Sequence, residues 1–388
     1  MKVALVHDHL VQDGGAERVL AIFHKIYPEA PIFVLVYDKR KVNRVFKKAK
    51  IKTSFIQRFP FGLKHYQWYL PLMPLAFERF NLFDYDLVIS SASAFAKGVL
   101  TRPETLHICY CHTPTRYLWS DTHSYTRELK YNKIIKKFIP FTLHKIRLWD
   151  YLASRRVDYF IANSQNIARK IQKYYRRRAK VIYAPVDLKK FHLTEEIGDY
   201  FLTGGRLVAY KKFDLTIQTF NKLGWPLKIF GTGPELKSLK KIARPNIEFL
   251  GKISDLKLAE VYSHSRAFIF PQEEDLGITA LESMASGRPV IAYARGGALE
   301  TVIHNQTGIL FPEQTVESLT EAIKSFEPKN FNAQQIRKYV AKFNAVLFEE
   351  KIKVFITQAI TEYHQKRISS RFSSPNISSK QIKPLLIS

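Results

Sequence analysis

The chain has very little cysteine. Its 388 residues include 2 cysteines, Cys109 and Cys111, which are too few for a disulfide framework or for a zinc site of four cysteines. They stand at alternate positions of an apolar run, a placement typical of buried core thiols rather than reactive ones. We therefore expect a protein of a reducing, cytoplasmic compartment.

Long hydrophobic runs are missing as well. The apolar run after Met1 is too short for a secretory leader, and no stretch approaches the roughly 18 uninterrupted apolar residues that span a membrane. Hydrophobic residues still make up 46% of the chain and aromatic residues 13%, so substantial cores can form. The length is typical of two domains of roughly 150–200 residues each.

Acidic residues are scarce beside basic ones, 34 Asp and Glu against 61 Lys and Arg, which gives a net charge of +27. Residues 1–190 hold 35 basic and 14 acidic residues, a net +21, whereas residues 191–388 hold 26 and 20, a net +6. An excess confined to one half favours a polyanion or an anionic bilayer facing that half, and an ordinary solvated surface is the alternative. No zinc, helix-turn-helix or RNA-binding signature accompanies the charge, so no nucleic acid is expected.

One basic stretch, residues 130–139, has apolar residues at helical spacing flanked by four lysines, and Pro140 is expected to end the helix. A basic amphipathic helix can lie in a bilayer interface, so the predicted partner is an anionic membrane surface. The alternative is that the apolar stripe packs on the domain core. Its members are Tyr131, Ile134, Ile135, Phe138 and Ile139.

Short β-branched runs alternate with amphipathic stretches twice along the chain. This alternation predicts an α/β protein of two doubly wound, Rossmann-like domains that face a central cleft. We expect an acceptor-side domain over residues 1–185 and a donor domain over residues 186–340. A helix over residues 341–366 is expected to cross back to the first domain, followed by a disordered tail over residues 367–388.

The segment 271–282 follows a predicted strand and opens a helix at about Gly277. Glycine lets a ligand approach the backbone, and the free N–H groups of a helix start favour anions. Glu274 lies just before this helix and Glu282 on its second turn, so the two acids can contact different parts of one elongated ligand. Glu282 is spaced to accept hydrogen bonds from vicinal hydroxyls, as acids do with ribose. By spacing alone, two solvated acids are the alternative.

With residues 286–292 and 296–302, this block resembles the donor site of the retaining GT-B nucleotide-sugar glycosyltransferases that carry an E-x7-E motif. Residues 205–214 look like the diphosphate-binding segment of that family, and residues 13–18 look like its first Gly-rich loop. Phe331 and Phe343 fall in what looks like its closing helical pair. The resemblance covers nearly the full length and is to bacterial mannosyltransferases of polysaccharide and glycolipid assembly.

The resemblance implies how the donor is held. Arg206 and Lys211 would neutralise the diphosphate, because the leaving nucleoside diphosphate gains negative charge and fixed cations stabilise it. Lys212 is the alternative to Lys211. Glu274 would hold the transferred sugar and Glu282 the ribose. No metal is expected, since Arg and Lys replace it in this family.

On the acceptor side, His112 matches a family position near the transferred sugar. It is predicted to bind sugar or acceptor, with core packing and a role as base as alternatives. Arg116 and Tyr117 are weaker acceptor candidates. His7-Asp8-His9 is read as lining of the acceptor pocket or as a fixture at a strand end, and Asp84-Tyr85-Asp86 as a solvated turn.

The remaining predicted donor contacts come mostly from turns between strands and helices. Gly231 belongs to a Gly-x-Gly turn that also fits an ordinary strand–helix connection. The predicted donor-binding set is Gly14, Gly15, Gly231, Gly251, Lys252, Leu276, Gly277, Ile278 and Glu282, and the predicted catalytic set is Glu274, Arg206, Lys211 and His112.

The function implied is a retaining hexosyltransferase that moves mannose from GDP-mannose onto a saccharide, lipid-linked acceptor in surface polysaccharide or glycolipid synthesis. It would work at the inner face of the membrane as a peripheral protein. The choice of mannose rests on the resemblance of residues 274–279 and 296–301 to the corresponding segments of those mannosyltransferases. A UDP-sugar-dependent transferase is the alternative within the class, and a non-catalytic polyanion- or membrane-binding protein is the alternative outside it.

Overall fold

The structure, a computed structural model, describes residues 1–123, 126 and 133–372, with residues 133–136 and 369–372 described by their backbone alone. The first seven strands form one parallel sheet in the spatial order β3-β2-β1-β4-β5-β6-β7. They are β1 (Val3–His7), β2 (Ile32–Val34), β3 (Ile51–Thr53), β4 (Leu87–Ala92), β5 (Leu106–Cys111), β6 (Tyr159–Ala162) and β7 (Ala179–Val181).

The next six strands form a second parallel sheet, in the order β10-β9-β8-β11-β12-β13. In both sheets the order reverses direction beside the first strand of the domain, as in a doubly wound fold. The prediction of two such domains is confirmed. The strands are β8 (Phe201–Gly204), β9 (Leu227–Phe230), β10 (Ile247–Gly251), β11 (Phe268–Phe270), β12 (Val290–Tyr293) and β13 (Gly308–Phe311).

Helices cover both faces of each sheet. The described residues include the α-helices α1 (Gly15–Ile26), α2 (Met73–Glu78), α3 (Lys133–Arg155), α4 (Gln165–Tyr175), α5 (Phe213–Leu223), α6 (Leu236–Ile242), α7 (Asp255–Ser263), α8 (Ile278–Ala285), α9 (Ala298–Thr301), α10 (Val316–Lys324), α11 (Ala333–Val340) and α12 (Ala345–Phe372). In this part of the chain no helix is both long and apolar enough to cross a membrane.

The prediction that a helix ends at Pro140 is wrong. Helix α3 contains Pro140 and continues to Arg155. Beyond the proline, Leu143 and Ile146 are buried in the core of the first domain, and this packing outweighs the hydrogen bond that the proline ring removes. The predicted start of this helix, residues 130–132, and the end of the predicted tail, residues 373–388, lie outside the described residues.

Strand β3 was not predicted, because it has only three residues and its side chains are at most half-buried. It pairs in parallel with β2 at the sheet edge, with Ile51 beside Ile32. The helix predicted over residues 341–366 begins later, at Ala345, because Ala341–Phe343 form a short 3-10 turn. This helix continues to Phe372, so the prediction of a disordered tail is wrong for residues 367–372.

The chain passes between the two domains twice, once between β7 and β8 and again between α11 and α12. The two crossings touch, because the Val186 N–H donates to the Phe343 carbonyl at 2.9 Å. Helix α12 then packs against the first domain, where the Phe348 ring lies 6.4 Å from the Phe23 ring and 5.7 Å from the Tyr110 ring. One buried cluster therefore includes residues of both domains and of α12.

A buried ion pair holds α3 to the loops at the top of the first sheet. The Lys97 ammonium and the Asp150 carboxylate are 2.5 Å apart and are 1% and 0% exposed. Burial alone would lower the pKa of Lys97, but the charge of Asp150 and its hydrogen bond, with smaller contributions from Cys111 and Cys109, together outweigh burial and raise that pKa. Three more donors reach the same carboxylate, from Thr115, Trp119 and Tyr175.

Replacing Asp150 by Asn should lower the free energy of unfolding of the first domain by about 3–5 kcal/mol, because the Lys97 ammonium would stay buried without its counter-charge. Urea unfolding followed by tryptophan fluorescence measures the change. Glu29→Gln is the matched control, since it removes an acid from the exposed pair with Lys50 and should change stability little. An equal loss in both variants would contradict the prediction.

Candidate active site

The carboxyl ends of both sheets face one cleft, and α1 of the first domain lies against α8 of the second. The two helices approach each other closely at Gly15, since a Cβ atom there would lie 2.4 Å from Cδ1 of Ile278. A larger residue at this position would therefore require the end of the Ile278 side chain to move. The predicted donor residues Gly14, Gly15, Gly277 and Ile278 lie together at this contact.

Glu282, the predicted ribose ligand, is buried on α8 and is held from both domains. The Arg18 guanidinium of α1 forms a short ion pair with its Oε1 atom. The Tyr262 hydroxyl donates to its Oε2 atom at 3.3 Å. The charge of Glu282 raises the pKa of Arg18. The carboxylate thus already receives two donors, as it would from two hydroxyls.

Glu274 lies between two cations of the cleft. The Lys211 ammonium is 3.2 Å from its Oε1 atom, and the Arg116 guanidinium is 3.6 Å from its Oε2 atom. Burial would lower the pKa of Lys211, but Glu274 outweighs burial and the pKa is raised. Lys212 instead lines a separate surface pocket with Phe213. The structure thus places Lys211, not Lys212, beside the acid.

Arg206 is an exposed residue on the loop after β8, shortly before Lys211 in the chain. It faces the first domain across the cleft. After the larger effect of burial, the charges of His7 and Arg206 help to lower the pKa of His9, while Glu17 and Asp8 oppose the shift. Arg206, Lys211 and Arg116 therefore give the cleft three cations from two domains.

The loop that carries Glu274 is fixed from behind by the residues after β12. The Gly297 N–H donates to the Glu274 carbonyl at 2.7 Å. Leu276, predicted as a donor contact, has its side chain buried in the core that both domains share, so only its backbone can reach a ligand. Gly296 and Gly297 thus help to hold the loop of Glu274, the residue that is predicted to bind the transferred sugar.

Gly231 lies where two loops of the second domain cross. Its φ is +105°, and a Cβ atom would lie 1.8 Å from the Gly205 carbonyl oxygen, so no other residue fits. Its N–H donates to the Gly251 carbonyl at 2.6 Å. The predicted residues Gly231, Gly251 and the exposed Lys252 therefore lie next to the loop of Arg206.

Asp8 is a structural fixture of the first domain. Its carboxylate accepts four backbone N–H groups from the loop 93–96, at 2.5–2.9 Å. These bonds leave the carboxylate little capacity for any other ligand. Among the side chains that the structure describes, no three His, Cys, Asp or Glu residues are grouped so as to hold a metal ion.

His112 follows β5 at the cleft and is largely buried. Its Nε2 atom lies 2.8 Å from the Ser91 hydroxyl. Burial first, and the nearby charge of His7 second, lower the pKa of His112 to about 4. The ring is therefore neutral at pH 7 and is a weak base, which favours a binding role over proton abstraction.

Two further acids of the second domain hold the first domain in place. Asp275 pairs with Arg116 and with Lys170, the latter at 3.1 Å. Glu300 accepts the backbone N–H groups of Gln165 and Asn166 at 2.7 and 2.6 Å, and so caps α4 from across the cleft. A carboxylate stabilises a helix start by satisfying its free N–H groups and by opposing its dipole.

Sequence reasoning gave no role to Arg18, Asp275 or Glu300, although each lies inside a motif that it singled out. Their partners are 264, 159 and 135 residues away along the chain. Spacing within a motif cannot reveal such partners. A structural role that spacing within the motif could have indicated is that of Glu17. It stands three residues after Gly14 and accepts the Gly14 N–H at 2.9 Å, as in a capping box.

Residues 13–190 match the family model described as Glycosyltransferase Family 4, and residues 187–343 match the model described as Glycosyl transferases group 1. The first match lies in the first domain and the second match in the second domain, and the two overlap at residues 187–190. The chain belongs to the GT-B glycosyltransferases.

Named relatives of this glycosyltransferase include mannosyltransferases. The GDP-mannose-dependent alpha-(1-6)-phosphatidylinositol monomannoside mannosyltransferase of Mycobacterium tuberculosis is 34% identical over 30% of this chain and 35% of its own. The alpha-1,3/1,6-mannosyltransferase alg2 of Schizosaccharomyces pombe is 23% identical over 80% of this chain and 71% of its own. The chain spans 14%, 37% and 56% of the length of three other curated relatives.

Solved structures confirm the fold of this glycosyltransferase. HepE of Anabaena, in complex with UDP, matches with a TM-score of 0.68 and 17% identity over 92% of this chain and 100% of that one. Sucrose-phosphate synthase of Thermosynechococcus elongatus matches with a TM-score of 0.71 and 16% identity over 93% and 100%.

Replacing Glu300 by Ala should weaken the contact between the two domains, because the first N–H groups of α4 would lose their carboxylate cap. The free energy that favours the closed arrangement of the two domains should fall by about 1 kcal/mol. A larger fraction of open molecules would then increase the radius of gyration measured by small-angle X-ray scattering. Glu317→Ala removes an exposed acid from the same domain and should leave the scattering unchanged. Identical profiles for all three proteins would show that Glu300 does not hold the domains together.

Proposed function

We propose that this glycosyltransferase transfers mannose from GDP-mannose, with retention of anomeric configuration, onto a saccharide acceptor carried by a lipid. The observation that carries the proposal is the cluster of Lys211, Glu274, Arg116 and Arg206 in one cleft between the domains. A non-catalytic polyanion binder would have no use for a carboxylate placed between those cations.

The nucleotide end of the donor meets the second domain. Arg206 and Lys211 supply positive charge where the diphosphate gains negative charge as it leaves, which is the largest stabilisation that such a site can offer. This is the work that a divalent metal does elsewhere, so we propose that none is required. Glu282 accepts the ribose hydroxyls in place of the donors that it now receives from Arg18 and Tyr262.

The sugar end lies between Glu274 and His112. A neutral His112 can hydrogen-bond a sugar hydroxyl but is a poor proton acceptor, because its pKa is lowered to about 4. The proton of the acceptor hydroxyl then passes to the departing phosphate, which is consistent with a retaining reaction on one face of the sugar. The names of the two mannosyltransferase relatives support mannose and GDP, and the UDP in the HepE structure supports the UDP alternative.

With a panel of nucleotide sugars and a bacterial lipid extract as acceptor, release of GDP from GDP-mannose should exceed release of UDP from UDP-glucose. Lys211→Gln and Glu274→Ala should each lower the rate by about 100-fold or more, because each removes charge complementarity in the transition state. Coupled assays of nucleoside diphosphate measure the rates.

Lys212→Gln is the matched control, since it alters the adjacent lysine that faces a different pocket. Titration calorimetry with GDP and UDP gives a readout that needs no acceptor. Tighter binding of UDP would replace GDP-mannose by a UDP-sugar, and an equal loss in the Lys212 variant would remove the assigned role of Lys211.

We propose that the first domain docks on an anionic membrane, at the inner face of the bilayer, and the exposed apolar residues of α3 support the docking. Four apolar residues share this face at heptad spacing and are 55–65% exposed, and Lys145 lies among them. Ile139, by contrast, packs against the core. Of the predicted stripe, Phe138 and Ile139 are the members whose side chains the structure describes, and they differ in this respect, while Tyr131 and the side chains of Ile134 and Ile135 lie outside the description. The exposed apolar residues are Phe138, Phe141, Leu148 and Leu152.

The double variant Phe141→Ser, Leu148→Ser should bind anionic vesicles at least about 10-fold more weakly than the wild type, because each apolar side chain gains roughly 1.5–3 kcal/mol on leaving water. Co-sedimentation with vesicles of phosphatidylglycerol and phosphatidylcholine measures this. Leu256→Ser is the control, since Leu256 is 86% exposed on the second domain. Equal binding of the wild type to neutral and anionic vesicles, or to neither, would exclude this surface.

A further inference from the structure

A row of four polar side chains leads from α1 to the cleft, through the buried interior of the first domain. The Glu17 carboxylate lies 3.6 Å from Nε2 of His7. The Nδ1 atom of His7 is 3.0 Å from the Ser91 carbonyl and 3.1 Å from the Ser91 hydroxyl. The Ser91 hydroxyl is 2.8 Å from Nε2 of His112.

The protons in this row can be assigned from what each group is able to do. Glu17 is ionised, since His7 outweighs burial and lowers the pKa of Glu17 to about 2. His7 faces a carboxylate on one side and a carbonyl on the other, and both only accept, so both of its ring nitrogens donate. The pKa of His7 is accordingly raised: burial opposes its charge, and Glu17 more than offsets burial.

The hydroxyl of Ser91 then has one direction left for its own proton. Its oxygen already faces an N–H group of His7, so its hydrogen points to Nε2 of His112, the only other polar group within 2.8 Å of it in the described part of the chain. Nε2 of His112 is therefore an acceptor. Because the ring is neutral, its single proton sits on Nδ1.

We propose that Glu17, His7 and Ser91 are positioning residues that fix His112 in the Nδ1–H tautomer, so that it presents a hydrogen-bond donor to an oxygen of the bound sugar. Nδ1 makes no hydrogen bond to the residues that the structure describes. The ligand it selects is an oxygen that accepts: a hydroxyl or a ring oxygen. This inference rests on the proposed function for the identity of that ligand, but not for the tautomer.

The chain contains a matched pair for comparison on the other face of the same strand. Ser90 Oγ lies 2.8 Å from Nε2 of His107, and both residues are fully buried. Within the described residues, no further side chain hydrogen-bonds Ser90, and His107 is fully buried in the domain interior. A Ser90→Ala variant thus removes the same contact from the same strand without touching the cleft.

The test is the protonation state of the histidine ring nitrogens, measured at pH 7 by long-range proton–nitrogen correlation spectroscopy on the full chain with labelled histidine. There are 12 histidines, and the His112 signals are assigned with His112→Gln. In the wild type we expect Nδ1 of His112 protonated, Nε2 of His112 unprotonated, and both nitrogens of His7 protonated. The His112 variant serves only to assign the signals, and the tautomer itself is measured on the wild type, so a folding defect in a variant cannot mask it. A His112 proton on Nε2 would overturn the proposal.

Ser91→Ala should shift His112 toward the Nε2–H tautomer, whereas Ser90→Ala should leave His112 unchanged. In transfer assays, Ser91→Ala should lower kcat by about 10-fold, the worth of one hydrogen bond in the transition state, with the donor KM unchanged. An unchanged tautomer in Ser91→Ala would overturn the positioning role. A changed tautomer with unchanged kcat would overturn the contact with the sugar. Absence of transfer by the wild type counts against the proposed function, and the spectra still decide the tautomer.

Discussion

The cleft exists because acids of the second domain meet cations and helix starts of the first. Glu282 receives Arg18, Asp275 receives Arg116 and Lys170, and Glu300 receives the first N–H groups of α4. The first half of the chain carries a net +21, and these contacts show one use for part of that charge. Partly buried pairs of this kind are less screened by salt than surface pairs, so they can fix the relative position of two domains.

The architecture could be read from the sequence because its signals are local. Continuous apolar runs such as Leu106–Cys111 predict buried parallel strands wherever they occur, and the helices between them follow from period and caps. The failures have physical causes as well. The run at Ile51–Thr53 is too short and too polar to be recognised, and Pro140 does not end α3 because Leu143 and Ile146 pack on the core beyond it.

The candidate site was predictable only in part. The resemblance singled out Lys211, Glu274 and Glu282, and the structure brings their side chains into the cleft. The resemblance could not identify the residues that pair with these acids from across the cleft, since Arg18 and Arg116 belong to the other domain. The row behind His112 was also hidden, because His7 and Ser91 lie on neighbouring strands that only the sheet register brings side by side.

The two chain crossings between the domains limit how the cleft can move. They are joined by the hydrogen bond from Val186 to the Phe343 carbonyl and continue into α12, which is packed on the first domain. A single linker would permit the domains to swivel, whereas two adjacent ones define a single axis of rotation. Any opening then moves the far rim most and the residues near the axis least. An opening about this axis would bring the facing residues of the two domains back to the same relative position when the cleft closes.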